Sequence, residues 1–259
     1  MSLLTDRGVF VTGTDTGVGK TVVTAALGLA AQAQGRSVIC LKPAQTGWVG
    51  ETTSDPEFVQ TVLGTDEPFE AVCPYAMAAP LAPSVAAALE GRRLDPSVVV
   101  QAHRALAERY DVVIVEGAGG LLVPFSDGVD MGGLAALLEI PLIVVARPGL
   151  GTLNHTLLTL ESLHRRGATV LGVVISGYPE RPGLDALTNP GVLARLTPVP
   201  LLGVIPHDPD IDTEGGIAGD LARIGPAGLD PLLGGTFSHA RWRRGVEELL
   251  RRATDPSHA

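Results

Sequence analysis

The 259-residue chain predicts a single doubly wound α/β domain, a mostly parallel sheet with helices on both faces. Three observations lead there. Short β-branched runs recur along the chain, helix-length stretches separate them, and most of the runs are apolar throughout rather than alternating, as strands covered on both faces read. Alternation of strand and helix implies right-handed crossovers and therefore parallel pairing. Hydrophobic residues make up 45% of the chain and charged residues 18%, which supports a core and excludes the composition of a disordered chain. The whole chain reads as one domain, with a motif-bearing core over residues 8–206.

The elements follow in order. The run GVFVT at residues 8–12 leads through a glycine-rich turn into a helix pattern over 20–33. The second run, SVICLK at 37–42, precedes a helix over 56–63. Residues 74–83, PYAMAAPLAP, are too proline-rich for a helix and read as a loop over the sheet's edge or top. A helix over 96–109 then leads to DVVIVE at 111–116, and a helix over 132–138 to PLIVVA at 141–146. Helices over 153–165 and 191–196 bracket VLGVVIS at 170–176, and LLGVIP at 201–206 closes the series. A Gly/Pro-rich stretch over 225–235 precedes a last helix over about 238–252. Its Arg241, Arg243, Arg244, Arg251 and Arg252 read as a solvated face, with cations favoured at the helix C-terminus.

Charge and composition narrow the function classes. Nineteen basic residues face 28 acidic ones for a net charge of -9, which argues against a nucleic-acid or anionic-membrane surface. The basic residues are skewed: 17 are arginine, and the two lysines are Lys20 and Lys42. No apolar run approaches the ~18 residues of a membrane span, and the opening MSLLTDRGVFVTG lacks the basic-then-apolar pattern of a leader. Cys40 and Cys73 have no metal-ligand spacing and read as reduced thiols of a cytoplasmic protein. HExxH, CxxC and GxSxG are all absent, so neither a His/Cys metal cage nor a hydrolase elbow is expected.

The strongest chemical signal is Gly13-Thr14-Asp15-Thr16-Gly17-Val18-Gly19-Lys20-Thr21, between the first strand and the first helix. Such loops wrap triphosphates because successive backbone N–H groups converge on phosphate oxygens and the helix N-terminus adds partial positive charge. In this pattern Lys20 reaches the β and γ phosphates and the Thr21 hydroxyl ligates Mg²⁺. The spacing GxxxxGK[ST] would place a glycine at position 14; here Thr14 stands there and the glycine comes one residue earlier. The fold is thus expected to be of the P-loop NTPase type.

Two further strand ends join the loop. Glu116, followed by Gly117, Ala118, Gly119 and Gly120, holds the place of the acid that binds Mg²⁺ directly or through water, where Asp is usual. Lys42, in Lys42-Pro43-Ala44-Gln45-Thr46-Gly47, ends the second run and can supply a second cation; the plain alternative is a surface lysine at a strand end. In deviant-Walker partition and positioning ATPases a signature lysine occupies the position of Asp15, and this chain lacks it. Asp55 begins a helix, and helix cap and metal ligand both stay open for it.

GTDTGVGKT, KPAQTG, EGAGG, GTLNHT and PLLGVIP, in this order over about residues 9–206, resemble the dethiobiotin synthetase family. The first and third motifs are shared more widely among P-loop enzymes, whereas their combination with KPAQTG and GTLNHT is more specific. The resemblance implies an ATP- and Mg²⁺-dependent ring closure of 7,8-diaminononanoate with CO₂ or bicarbonate in biotin biosynthesis, by a homodimer with sites near the interface. It implies that Lys20, Lys42, Thr16 and Thr46 act on carbamate and phosphate oxygens, and that Thr21, Asp55 and Glu116 surround Mg²⁺. It places Gly13 to Thr21, Glu116, Gly117, Gly119, Ser176 and Pro206 at the nucleotide. Gly151, Thr152, Leu153 and Asn154 resemble the segment that receives the substrate's carboxylate tail from the partner subunit; read without the family, Asn154 and His155 are helix-capping residues. Two departures are visible. Gly17 stands where some members carry an acid, and Ser176 where relatives carry an adenine-reading asparagine. The rival reading is a deviant-Walker partition or positioning ATPase, against which stand Asp15 and the net charge of -9.

Overall fold

Six strands form one wholly parallel sheet: β1 (Val9–Gly13), β2 (Val38–Leu41), β3 (Val112–Gly120), β4 (Leu142–Ala146), β5 (Val170–Tyr178) and β6 (Leu201–Pro206). They lie in the order β6-β5-β4-β1-β3-β2. The structure, a computed structural model, describes residues 3–4 and 8–254, without the side chains of 252–254. Parts of the opening stretch read for a leader, the Arg252 side chain and the last five residues lie outside the described residues.

The helices are α1 (Lys20–Gln32), α2 (Asp55–Leu63), α3 (Phe69–Val72), α4 (Pro83–Leu89), α5 (Pro96–Ala107), α6 (Met131–Leu138), α7 (Thr152–Arg165), α8 (Leu184–Leu196), α9 (Leu221–Ala227) and α10 (His239–Thr254). The strand pleat divides them between two faces. Val9 and Val11 join Val23 and Leu27 of α1, Phe58 of α2 and Leu221 of α9 in one core. Phe10 points the other way, into a core with Val99 and Leu106 of α5, Leu134 of α6 and Leu160 of α7. Continuous apolar strands are what such two-sided burial requires.

From β1 the chain crosses to β2 at one edge, leaving room for β3 between them, whereas β4 to β6 add on the other side. The order therefore reverses at β1, and a crevice opens beyond the carboxyl ends of the strands.

Three stretches carry structure that the sequence did not announce. Residues 74–83 are not all loop: Ala76–Met77 pairs in parallel with Gln45–Thr46, and α4 starts at Pro83, a first-turn position that proline suits. Helix α8 begins at Leu184 instead of residue 191 and carries Pro190 inside it. Proline removes the N–H that would bond the carbonyl four residues back, and Tyr178 Oη supplies the missing donor to that carbonyl, Ala186 O, at 3.3 Å. The stretch over 225–235 holds the end of α9 and a 3₁₀ turn, Pro231–Leu233. Its backbone flanks β6, with Val204 N donating to Gly228 O at 2.8 Å and Asp230 N to Leu202 O at 2.8 Å, and so covers the sheet edge.

Candidate active site

Helix α1 has no side-chain cap and no acid in its first turn. Its first N–H groups open onto the loop over 14–19, an end whose partial positive charge suits an anion. Gly19, the N-cap, has φ of 88°, a left-handed conformation that disfavours any Cβ. A Cβ there would also lie 2.4 Å from Ser176 Oγ at the end of β5. The glycine at 13 is explained first by the loop itself, since a Cβ there would lie 2.7 Å from Asp15 O and 2.9 Å from Val18 Cγ2; Lys20 also folds back over it, its Nζ donating to Asp15 O at 3.1 Å. Thr14 anchors the loop, its N–H donating to Val145 O of β4 at 2.9 Å, so that N–H is not free for phosphate. Asp15 Oδ1 accepts from Thr16 N at 2.8 Å.

Beside the loop sits a buried ionic cluster. Lys42, 4% exposed, extends from the end of β2 to Asp55 Oδ2 at 2.5 Å and Glu116 Oε1 at 2.6 Å. Burial pulls the Lys42 ammonium down, but the charges of Asp55 and Glu116 outweigh it and hold it well above the ordinary lysine range. For Asp55 the order is the same: burial raises it, and Lys42 with the Thr21 hydroxyl brings it below its ordinary value. Glu116 at 0% exposure is raised by burial despite Lys42. Lys20 is pushed down to about 8, by burial first and by Lys42 second. The two ammonium and two carboxylate charges cancel, leaving the cluster neutral as it stands.

Thr21 Oγ1 lies 3.0 Å from Asp55 Oδ1 and 3.0 Å from Glu116 Oε1. A hydroxyl has one proton and cannot serve both. Glu116 Oε2 is buried with no partner. Three hard oxygen donors with spare lone pairs fit a magnesium ion, which takes one or two carboxylates and completes its shell with water and phosphate oxygens. Among the described residues no group of three or more His, Cys, Asp or Glu side chains could hold a metal; the donor set here is two carboxylates and a hydroxyl.

A cleft of about 390 Å³ brings together Thr16, Gly17, Gly19, Lys20, Thr21, Lys42, Thr46, Asp55, Glu116 and Gly119. Gly117 precedes Gly119 on β3, and Val18 is buried behind the loop. A larger cavity of about 1140 Å³, between α8 and α10, contains none of these residues. We place the chemistry in the smaller cleft, because that is where the ionisable and phosphate-binding groups converge. Gln45, Thr213 and Glu214 were not anticipated there. Gln45 Oε1 accepts from Asp55 N at 3.3 Å and so fixes the acid's backbone; its place within KPAQTG was the available signal. Thr213 and Glu214 come from the hairpin of Ile211–Asp212 and Ile217–Ala218, folded back so that Glu214 O accepts from Thr53 N at 2.9 Å. Nothing in their residue types announces it.

Capping is also reassigned. Ser54 caps α2 through a capping box with Glu57, which frees Asp55, the first helical residue, to face the cluster. Gly151, with φ of 91° and no side-chain bond, is the N-cap of α7, so Asn154 and His155 lie inside the first turn. Gly151, Thr152, Leu153 and Asn154 stand at the end of β4, outside the cleft of this protomer. Their loop is held by Asn189 of α8, whose Nδ2 donates to Pro148 O at 2.9 Å and Gly149 O at 3.1 Å. Ser176 and Pro206 end β5 and β6 beyond the cleft, Ser176 against Gly19.

A family model described as an AAA domain matches residues 7–215. The ATP-dependent dethiobiotin synthetase BioD of Anaeromyxobacter sp. (strain K) is 50% identical over 205 residues, covering 79% of this chain and 92% of that protein. The chain belongs to the dethiobiotin synthetase family. The synthetases of the same name from Bacillus licheniformis, 42% identical over 77% of this chain and 86% of theirs, and from Saccharopolyspora erythraea, 44% over 88% and 97%, extend the match. Among solved structures, the septum site-determining protein MinD with Mg-ADP from Pyrococcus horikoshii superposes with a TM-score of 0.52 over 95% of this chain and 98% of that one, at 22% identity. A ParA family ATPase from Chlorobium tepidum gives 0.51 over 88% and 97%, at 16% identity. At such identities these two likenesses show a shared fold and nothing further, so synthetase membership rests on the sequence relatives.

Proposed function

We propose that this chain is an ATP-dependent dethiobiotin synthetase, a cyclo-ligase that closes a ureido ring from 7,8-diaminononanoate and CO₂, drawn from bicarbonate, while ATP becomes ADP and phosphate. The observation that carries the reading is the convergence of Lys20, Lys42, Thr16 and Thr46 on one cleft beside the phosphate loop, with Lys42 buried between Asp55 and Glu116.

In this reading one amine adds to CO₂ and loses a proton, giving a carbamate. A carbamate oxygen takes the γ-phosphoryl group as its bond to ADP breaks. The second amine then attacks the carbonyl carbon of the resulting carbamic-phosphoric anhydride; phosphate leaves with the C–O electron pair, and the ring closes as the amine proton departs. Carbamate and γ-phosphate repel, so cations must hold them together. Lys20 and Lys42 are those cations, Thr16 and Thr46 donate hydrogen bonds to carbamate or phosphate oxygens, and the loop's free N–H groups hold the phosphates. Thr21, Asp55 and Glu116 would hold a magnesium ion, which would supply charge that neutralises the phosphates. With the lysine and carboxylate charges cancelling, bound metal would add to the anion attraction of the loop's N–H groups and the α1 N-terminus. The open N-terminus of α7 at Gly151 to Asn154 suits the substrate's carboxylate; lying outside this protomer's cleft, it supports a homodimer in which each subunit serves its partner. Ser176 and Pro206 border the nucleoside.

Among the described residues no helix is long and apolar enough to cross a membrane, and we place the enzyme in the cytoplasm. Incubation with diaminononanoate, bicarbonate, ATP and Mg²⁺, followed by mass detection of dethiobiotin, tests the proposal. ATP hydrolysis without that product would favour the switch-ATPase reading.

A further inference from the structure

The cluster of lysines and acids lies on the β2 and β3 side of β1. Across the loop, Gly19 abuts Ser176 at the end of β5. A triphosphate whose terminal phosphate meets Lys42 and Thr21 must therefore direct its nucleoside toward β5 and β6. Tyr178 stands there, two residues beyond Ser176. Three contacts from separate segments hold it. Its carbonyl accepts from His207 N at 2.7 Å, its hydroxyl donates to the Ala186 carbonyl that Pro190 leaves without a helical donor, at 3.3 Å, and its ring meets Trp242 edge-on at 6.4 Å and 75°. Trp242 belongs to α10, where it is half-buried together with Val246 and Leu250, four and eight residues on, while Arg241, Arg243 and Arg244 face solvent. Phe237 also meets the indole, tilted by 48° at 6.2 Å between ring centroids. The AAA-domain model's match ends at residue 215, and α10 begins at His239.

We propose that α10 is a nucleoside-positioning element: Trp242 holds Tyr178, and through it the ends of β5 and β6, in the shape that receives the base and ribose of the nucleotide. Trp242 is a positioning residue and touches no reacting atom. The inference rests on reading the loop as a nucleotide site, and it adds that the nucleoside half of that site depends on a helix beyond the residues the AAA-domain model matches.

Inorganic tripolyphosphate separates the two halves, because it fills the phosphate loop and has no nucleoside. Dissociation constants for ATP and for tripolyphosphate, each with Mg²⁺, are measured by calorimetry on the full chain. An aromatic edge contact supports a change of about three- to tenfold. Trp242→Ala is expected to weaken ATP by that factor and to leave tripolyphosphate within about twofold, with Trp242→Phe close to wild type. Trp242→Leu keeps apolar volume without a ring edge and carries the same expectation should the alanine variant fail to fold. Leu249→Ala, an exposed change on the same helix, is expected to alter neither ligand. Unchanged ATP affinity, or parallel loss of both ligands, overturns the proposal, as does a wild-type protein that binds ATP no better than tripolyphosphate. Absence of dethiobiotin from the wild-type reaction would instead overturn the activity proposed above while leaving this binding contrast intact.

Discussion

The two halves of the sheet face the same crevice with different materials. On the β1, β2 and β3 side the side chains that meet are charged or bonded to charge: Lys20, Lys42, Asp55, Glu116 and the Thr21 hydroxyl gather in one buried cluster. On the β4, β5 and β6 side the contacts are neutral, and distant segments supply them: Asn189 on the loop after β4, Tyr178 on α8, Trp242 on Tyr178. The contrast follows from the work each half does. Holding anions together demands fixed charges, which strand ends and a helix N-terminus deliver from short stretches of chain. Receiving a nucleoside demands a shaped wall, which packing delivers from wherever the chain returns.

The largest effect should come from Lys42→Arg. A planar, longer guanidinium cannot take the place of an ammonium held 2.5 and 2.6 Å from two carboxylates at 4% exposure. We expect kcat to fall at least ~100-fold, about 2.7 kcal/mol of barrier, with the circular dichroism spectrum retained; activity within tenfold of wild type would show that positive charge suffices there without its geometry. Next, Glu116→Gln should raise the Mg²⁺ concentration for half-maximal turnover by roughly tenfold, since it removes one of two charged oxygen donors. An unchanged titration would take Glu116 out of the metal shell.

Gly19→Ala tests the seam between the halves. The left-handed φ costs about 1–3 kcal/mol for a residue with a Cβ, and the clash with Ser176 adds to it. ATP affinity should drop, and adding Ser176→Gly should restore the steric share and leave the φ share; complete rescue or none would each contradict that division.

The smallest expected effect lies away from both halves. Asp130 caps α6 through Gly133 N at 2.7 Å and forms a two-point pair with Arg166 at 2.8 and 2.6 Å. Burial raises its carboxyl, but Arg166 and the Gly133 N–H outweigh that and hold it below the ordinary value. A carboxyl lowered on folding contributes stability that is complete above its unfolded value and lost as pH falls through the folded one. Asp130→Asn should therefore cost about 1 kcal/mol near neutral pH, a partly exposed pair being screened, and in urea titrations the gap should narrow as pH falls below the ordinary carboxylate range. A gap independent of pH would assign the effect to packing.

Legibility in the sequence followed the same division. All six strands could be read from continuous apolar runs, because burial on both faces leaves no alternation to confuse. Helix α8 extends seven residues before the helix expected over 191–196, across Pro190, and the Tyr178 hydroxyl, a donor no local window shows, meets the carbonyl that the proline leaves without its helical partner. Pro83 was read as loop although proline suits the first turn of α4. Asp55 could not be separated from a cap until Ser54 and Glu57 were seen to close the capping box between themselves.

The sequence by itself determined the family, the parallel sheet, the phosphate loop with Lys20 and the second lysine at the end of β2, since each depends on a short window whose backbone geometry and charge travel with the residues. Seventeen arginines against two lysines already set Lys20 and Lys42 apart. Tertiary structure alone decided that Lys42 lies buried between Asp55 and Glu116, that Thr213 and Glu214 fold back over the cleft, and that Trp242 reaches Tyr178. Those contacts join residues from 13 positions apart, Lys42 and Asp55, to 161 apart, Thr53 and Glu214, and their free energy comes from burial and pairing that no local window contains.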